Sequence, residues 1–70
     1  GIYPIGSTVK LNDDSIARVT EVKAASPLTP VVRVLIDGKG RVAQNNEGAL
    51  IDLLETKGLY IVQALNGSSR

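Results

Sequence analysis

The chain has 70 residues and a formal net charge of +1, and it contains neither cysteine nor histidine. A chain of this length forms one domain with a small core, and its balanced charge gives no overall attraction to nucleic acid or to an anionic membrane. Because the commonest general base, the commonest metal ligand and the thiol nucleophile are all missing, we expect no independent catalysis and no cofactor or metal site in this chain.

The first part of the chain predicts two strands with a turn between them. Residues 7–11 alternate between polar and apolar side chains, as a strand with one buried face does. The polar residues 12–15 predict a tight turn, because Asn and Asp tolerate a positive φ. Residues 16–23 predict a second strand whose alternation breaks before Val22. A β-bulge near residues 20–21 would return Val22 to the core side.

Three further strands are predicted in the second half of the chain. Residues 31–37 give the strongest strand pattern, and residues 37–40 (DGKG) predict a hairpin turn because glycine supplies a positive φ. Residues 41–43 would then form a short return strand, and residues 59–65 form the last one. Residues 49–55 fit either a short strand or a helix, since their apolar spacing suits both.

Five or six short strands separated by closely spaced turns predict an all-β fold. The chain length and the bent second strand favour a small antiparallel SH3-like barrel over residues 1–65, since an OB-fold is usually longer. Residues 66–70 are polar and predict a disordered tail. The predicted core consists of the apolar residues on the inward strand faces. These residues are Val9, Leu11, Val19, Val22, Val32, Val34, Ile36, Ile51, Leu53 and Ile61.

The two ends of the chain suggest its context. It opens on Gly1 rather than on methionine, so we expect a domain of a longer protein. No leader-like segment precedes it, and no apolar run approaches the ~20 residues that span a bilayer. These features predict a cytoplasmic setting without a membrane partner.

Carboxylates are the remaining candidates for acid–base chemistry or metal binding. Asp13, Asp14 and Asp37 fall in predicted turns, where Asp is common, so a structural role is preferred for them. The sequence has no run of oxygen ligands with the spacing of a calcium loop.

Three basic residues, Lys10, Arg18 and Arg33, are predicted on the outer face of neighbouring strands. They would form a patch for an anion or a nucleic acid, or a solvated face whose charge Asp13 and Glu21 dilute. Single-strand binders stack bases on aromatic rings, and the chain has two tyrosines and no Phe or Trp. Nucleic-acid binding is therefore the less favoured interpretation, and the same shortage argues against recognition of proline-rich peptides.

The order of several short motifs gives a further indication. Residues 1–11 (GIYPIGSTVKL) resemble a segment found just after the catalytic domain of HD-GYP proteins, where YP.GS.V.L is followed by a short turn. That family often has glycine at the position of Asp14. Its later segments resemble residues 16–22, 24–31, 51–53 and 59–62. The similarity of residues 51–53 favours the strand over the helix there.

HD-GYP proteins are metal-dependent phosphodiesterases that typically act on cyclic di-GMP in bacterial signalling. Their metal-binding residues lie in a helical domain that would precede Gly1, so no catalytic residue is carried over to this chain. The resemblance implies a non-catalytic C-terminal accessory domain that docks on, or regulates, the HD-GYP catalytic domain of the same chain, or that fixes a homodimer. The alternatives are a free-standing SH3-like protein-interaction module and, less favoured, a small nucleic-acid-binding barrel.

Two regions are candidates for the docking surface. One is the loop at residues 24–30, whose prolines lower the entropy cost of ordering it. The other is the outer strand face with its basic side chains. The residues predicted to dock are Pro27, Leu28, Pro30, Lys10, Arg18 and Arg33.

Overall fold

One antiparallel sheet carries the fold in the computed structural model, which describes residues 2–65. Its strands are β1 (Thr8–Leu11), β2 (Ile16–Glu21), β3 (Val31–Ile36), β4 (Leu50–Asp52) and β5 (Ile61–Ala64). The order across the sheet is β4-β3-β2-β1-β5, so the chain runs through consecutive antiparallel pairs before β5 returns to the side of β1. The described residues contain no helix, and the predicted all-β fold of five strands is confirmed.

Residues 2–65 hold no helical segment of the length and apolar character that crossing a membrane requires. The ambiguous segment at residues 49–55 contains β4, which confirms the strand interpretation. The predicted tail at residues 66–70 lies outside the described part of the chain.

The turn between β1 and β2 forms where the polar cluster predicted it. The backbone N–H of Leu11 donates to the carbonyl of Ser15 at 2.9 Å. The Asp13 carboxylate accepts hydrogen bonds from the Ser15 backbone N–H at 3.0 Å and from its hydroxyl at 2.6 Å. Asp14 has a φ of 71°, a left-handed conformation that glycine adopts more easily than any other residue.

The core lies on the inward face of the sheet. Val9 pairs with Ala17 and Val19 pairs with Val32, and all four side chains are fully buried. The remaining core side chains are Leu11 and Leu53, with Tyr3, Ile51, Leu59 and Ile61 packed against them while partly exposed. Because residues at or beside both edge strands reach the same cluster, the sheet curls around it. The result is the small SH3-like shape that the strand pattern predicts.

A β-bulge bends β2 near its end, as the sequence predicts. Val19 pairs with Val32 and Glu21 pairs with Val31, which leaves Thr20 as the extra residue. The bulge does not bring Val22 into the core, so that prediction is wrong. The strand ends at Glu21, and Val22 begins the following loop with 37% of its surface exposed.

A second bulge, in β3, was not predicted and changes two expected core positions. Ala17 pairs with Val34 but Ile16 pairs with Ile36, so Leu35 is the extra residue. Ile36 is therefore shifted out of the inward register, and both Ile36 and Val34 are only half-buried. The expected return strand at residues 41–43 is also wrong. That segment makes an isolated bridge between Ile36 and Val42 instead of a strand.

Candidate docking surface

A row of four side chains crosses the outer face of the sheet from β1 to β4. Thr8 pairs with Arg18, Arg18 with Arg33, and Arg33 with Leu50. Residues directly opposite one another in antiparallel strands point to the same face. The neighbouring Val9, Ala17 and Val32 point inward, which places these four side chains outward. We call Thr8, Arg18, Arg33 and Leu50 the arginine row.

The Arg33 side chain is held in place by the loop that precedes β4. Its Nη1 donates to the carbonyl oxygens of Asn46 at 2.8 Å and of Gly48 at 3.1 Å. This loop turns through Asn45 and Asn46, which both have a positive φ that asparagine tolerates. Gly48 approaches β3 so closely that a Cβ would overlap the carbonyl oxygen of Val34. The sequence of the loop thus sets the position of the carbonyls that hold Arg33.

Arg18 lies beside Arg33 without a comparable anchor. It is exposed, and within residues 2–65 its side chain makes neither a salt bridge nor a hydrogen bond to another residue. Lys10, also on the outer face, lies 3.8 Å from Asp14 in an exposed ion pair. The Asp13 carboxylate is occupied by Ser15, so Asp14 is the carboxylate that offsets the charge of Lys10. The structure therefore brings the three predicted basic residues to one face, and in the described part of the chain neither arginine forms a salt bridge.

The predicted proline loop divides into exposed and buried parts. Pro27 and Leu28 are exposed, and Leu28 presents 59% of its surface. Pro30 is fully buried, and its carbonyl accepts a hydrogen bond from the Leu53 N–H at 3.2 Å. The burial of its ring argues against a direct contact between Pro30 and a partner. It sits against β3, at the point where the chain re-enters the core.

An ion pair ties the start of this loop to the edge of the sheet. The Lys23 ammonium donates a hydrogen bond to the Asp52 carboxylate, which also accepts one from the Leu54 N–H at 3.0 Å. The bond from Lys23, followed by the backbone N–H of Leu54, lowers the pKa of Asp52 despite an opposing effect of desolvation. Since Asp52 lies two residues after Leu50 on β4, its side chain projects on the same outer face. This pair connects the loop to the surface that carries the arginine row.

The structure also has an open pocket of about 290 Å³ that sequence reasoning missed. Its apolar lining comes from Val34, Val42, Ala43 and Ala49, with Asp37 and Arg41 at its polar part. Asp37 is engaged by its own turn, where its carboxylate accepts hydrogen bonds from the backbone N–H groups of Lys39 and Arg41. The bond from Arg41 is the main reason that the pKa of Asp37 is lowered. No pattern in the sequence predicts this pocket, because its lining combines β3 with residues 37–43 and 48–49, which only the folded chain brings together.

The described residues offer no group of three or more carboxylate, histidine or cysteine side chains that could hold a metal ion. Their carboxylates at Asp13, Asp37 and Asp52 accept hydrogen bonds within turns or from Lys23.

Comparisons with known proteins agree with a domain of this kind. Residues 8–70 match the family described as a KOW domain associated with HD domain. The match covers most of the chain and includes every strand. The search of curated proteins found no match, and neither did the search of solved structures.

Proposed function

Because the chain belongs to the family of KOW domains associated with HD domains, we propose that it is the non-catalytic accessory domain of an HD-GYP-type phosphohydrolase. In this proposal it docks on the catalytic domain of the same protein and regulates access to it. The substrate of that catalytic domain is cyclic di-GMP, and the protein acts in the bacterial cytoplasm. The family match is the observation that carries the proposal.

The finer assignment to the HD-GYP type rests on the resemblance of the opening segment. Residues 1–11 carry the YP.GS.V.L pattern, and residues 51–53 and 59–62 carry the closing segments. In the structure, residues from these segments contribute Val9, Leu11 and Leu53 to the core. The pattern therefore belongs to the fold of the domain and supports a shared architecture with the tail of HD-GYP proteins.

The side chains of the domain support docking rather than catalysis. The chain has no histidine or cysteine. A carboxylate such as that of Asp37, which could otherwise act as an acid or a base, accepts hydrogen bonds within its own turn. By contrast, Leu28 and Leu50 each expose more than half of their surface, and Leu50 continues the arginine row. Leu50 lies opposite Arg33, and arginine together with apolar side chains is enriched in protein interfaces.

The HD-domain protein that carries this chain is here called the host protein. The test compares the host protein with a truncated version from which this 70-residue chain has been removed. The host protein is expected to hydrolyse cyclic di-GMP, and removal of the domain is expected to change kcat or KM several-fold. The truncated version is also expected to bind the 70-residue chain when it is added separately. Hydrolysis of a different phosphoester would correct the substrate and keep the accessory role. If the two versions have equal activity and the chain does not bind, the accessory role is wrong.

A small nucleic-acid-binding barrel is the second candidate, because Lys10, Arg18 and Arg33 share one face. The aromatic side chains do not support it. Tyr3 packs against the core, and Tyr60 lies beside β5, where its backbone pairs with Asn12. Tyr60 is exposed, but β1 separates β5 from the strands that carry Arg18 and Arg33, so the described residues offer one ring at the margin of the basic face rather than a series of stacking platforms. Binding of a single-stranded oligonucleotide that weakens steeply between about 50 and 200 mM salt would favour this candidate.

A further inference from the structure

Two like charges stand directly opposite each other at the centre of the outer face. Arg18 on β2 and Arg33 on β3 are register partners in adjacent strands, and strands in a sheet lie about 4.8 Å apart. Like charges in this position destabilise a sheet. The loop carbonyls that accept from Arg33 Nη1 draw that guanidinium toward β4, but they carry no formal charge. The fold alone gives no reason for an arginine at both positions.

Among the described carboxylates, none forms a salt bridge with this pair, Glu21 in the neighbouring row included. On the same face, the next row toward the loop consists of Glu21, Val31 and Asp52. Asp52 is paired with Lys23, and Asp14 is paired with Lys10 at the other side of the arginines. Within residues 2–65, neither arginine forms a salt bridge. The positive charge at the centre of the face is therefore open to a group from outside the domain.

The neighbours of the arginines indicate what kind of group fits. The row begins with the hydroxyl of Thr8 and ends with the exposed side chain of Leu50. Ile16 and Ile36 form the adjacent pair on the other side. A face that combines two guanidiniums with apolar flanks suits a folded protein partner, because interfaces combine apolar contacts with polar groups and are enriched in arginine. A guanidinium binds a carboxylate through two parallel hydrogen bonds, and Arg33 keeps Nη2 and Nε for this purpose.

We infer that Arg18 and Arg33 form a carboxylate-binding pair that docks the domain on an acidic surface of its HD domain, with Leu50 as the apolar edge of the contact. This inference rests on the proposed function and adds the chemistry of recognition to it. The occupant follows from charge complementarity and from the association of this family with HD domains. Arg33 is the preorganised member, because two loop carbonyls hold it, and Arg18 is the adaptable one.

The variant Arg18→Glu tests the inference, because it is expected to raise the stability of the domain and to weaken its docking. A glutamate opposite Arg33 replaces a repulsive cross-strand pair with an attractive one. We expect the unfolding midpoint of the 70-residue chain to rise by about 2–4 °C, since a favourable pair contributes a few tenths of a kcal/mol to 1 kcal/mol in a small domain. Docking should weaken about tenfold or more, because the new carboxylate faces the acidic surface of the partner. A merely structural role for Arg18 would not move stability and binding in opposite directions.

The experiment measures binding of the 70-residue chain to the host protein that lacks it, together with thermal unfolding of each variant. Lys57→Glu is the matched control, because it makes the same charge change in the exposed turn before β5. The conservative variant Arg18→Lys keeps the charge and is expected to lose only part of the affinity. The wild-type affinity should fall as salt is raised, and a single-stranded oligonucleotide should not compete for the face.

The outcomes separate the inference from the proposed function. If the wild-type chain does not bind the truncated host protein, this inference is overturned, and the proposed function fails as well when removal of the domain leaves the activity unchanged. If it binds and Arg18→Glu binds as tightly as Lys57→Glu, docking occurs elsewhere and this inference is overturned. If an oligonucleotide binds the wild-type chain and Arg18→Glu abolishes that binding, the pair recognises phosphate and the carboxylate assignment is wrong.

Discussion

Gly48 packs so closely against β3 that a side-chain carbon on it would overlap the carbonyl oxygen of Val34. The same carbon would lie 3.1 Å from the Cβ of Ala43. One residue without a side chain thus lets the loop before β4 lie flat against the sheet. Because the Gly48 carbonyl accepts from Arg33, this close approach also determines where the Arg33 guanidinium lies.

Gly48→Ala is expected to destabilise the domain by about 2 kcal/mol or more, because backbone rather than a flexible side chain blocks the added methyl group. Chemical denaturation measures the free energy of unfolding. Gly40→Ala is the control, since a Cβ there meets open space and the cost is limited to the φ of 84°. That cost is about 1–2 kcal/mol. Equal stability of Gly48→Ala and the wild type would contradict the tight approach.

Asp14→Gly is expected to stabilise the domain by about 0.5–1 kcal/mol, because Asp14 occupies a left-handed conformation at φ 71°. The ion pair with Lys10 that this change removes is exposed and contributes little. Asp14→Ala removes the same ion pair but keeps the backbone strain, so it should not gain stability. Denaturant unfolding of both variants measures their free energies of unfolding relative to the wild type. A loss of stability in Asp14→Gly would show that the carboxylate matters more than the backbone.

The ion pair between Lys23 and Asp52 predicts a dependence of stability on pH. The pKa of Asp52 in the folded chain lies below its ordinary value of 3.8, chiefly because Lys23 donates a hydrogen bond to it. A carboxyl with a lowered folded pKa contributes stability above its unfolded pKa and loses that contribution as the pH falls through the folded pKa. The free energy of unfolding should therefore decrease as the pH falls below about 5.

Lys23→Met should reduce this pH dependence. The variant is expected to be less stable than the wild type near neutral pH and to approach it under acidic conditions, where Asp52 is protonated. Thermal unfolding across the acidic range measures the difference. Lys57→Met is the control, because Lys57 makes no salt bridge within residues 2–65. If the difference in stability between Lys23→Met and the wild type is the same at all pH values, the Lys23–Asp52 ion pair is not the source of the pH dependence.

The loop at residues 22–30 allows docking to be separated from folding. Leu28→Ser changes an exposed side chain, so the free energy of unfolding should stay within about 0.5 kcal/mol of the wild type. Docking on the host protein should weaken if the loop contacts it. Pro30→Ala should instead destabilise the domain by about 1–2 kcal/mol, because it empties a buried site and frees the backbone. Unchanged docking by Leu28→Ser would remove the loop from the docking surface.

Much of the fold follows from local patterns in the sequence. Alternation over residues 7–11 and 31–36 places Val9, Leu11 and Val32 inward, because every second side chain of a strand points to the same face of the sheet. Alternation turns Lys10 and Arg33 outward in these segments and Arg18 outward in residues 16–19, so the basic face could be predicted from the sequence. The turn at residues 12–15 could also be predicted from the sequence, because Asn and Asp suit the backbone conformation of a tight turn.

The errors arise where pairing between distant segments decides the outcome. The bulge at Leu35 depends on how β2 and β3 fit together, and it moves Ile36 out of the inward register. Val22 is exposed because β3 begins at Val31 and leaves no partner for a longer β2. Pro30 is buried where the start of β3 meets the end of the neighbouring β4, and the Leu53 N–H donates to its carbonyl there. The pocket beside Val34 is lined by three separate segments of the chain, so no single segment predicts it.

The return of β5 to the side of β1 has a consequence for how quickly the chain folds. Asn12 joins the two strands beyond the end of β1: its N–H donates to the Tyr60 carbonyl, and its side-chain oxygen accepts from the Tyr60 N–H. These residues are 48 positions apart, so a long loop must close before either gains a bond. The hairpins of neighbouring strands close far shorter loops and are expected to form first. Asn12→Ala should therefore accelerate unfolding more than it slows refolding in stopped-flow measurements, because the closure that Asn12 secures is the last to be made.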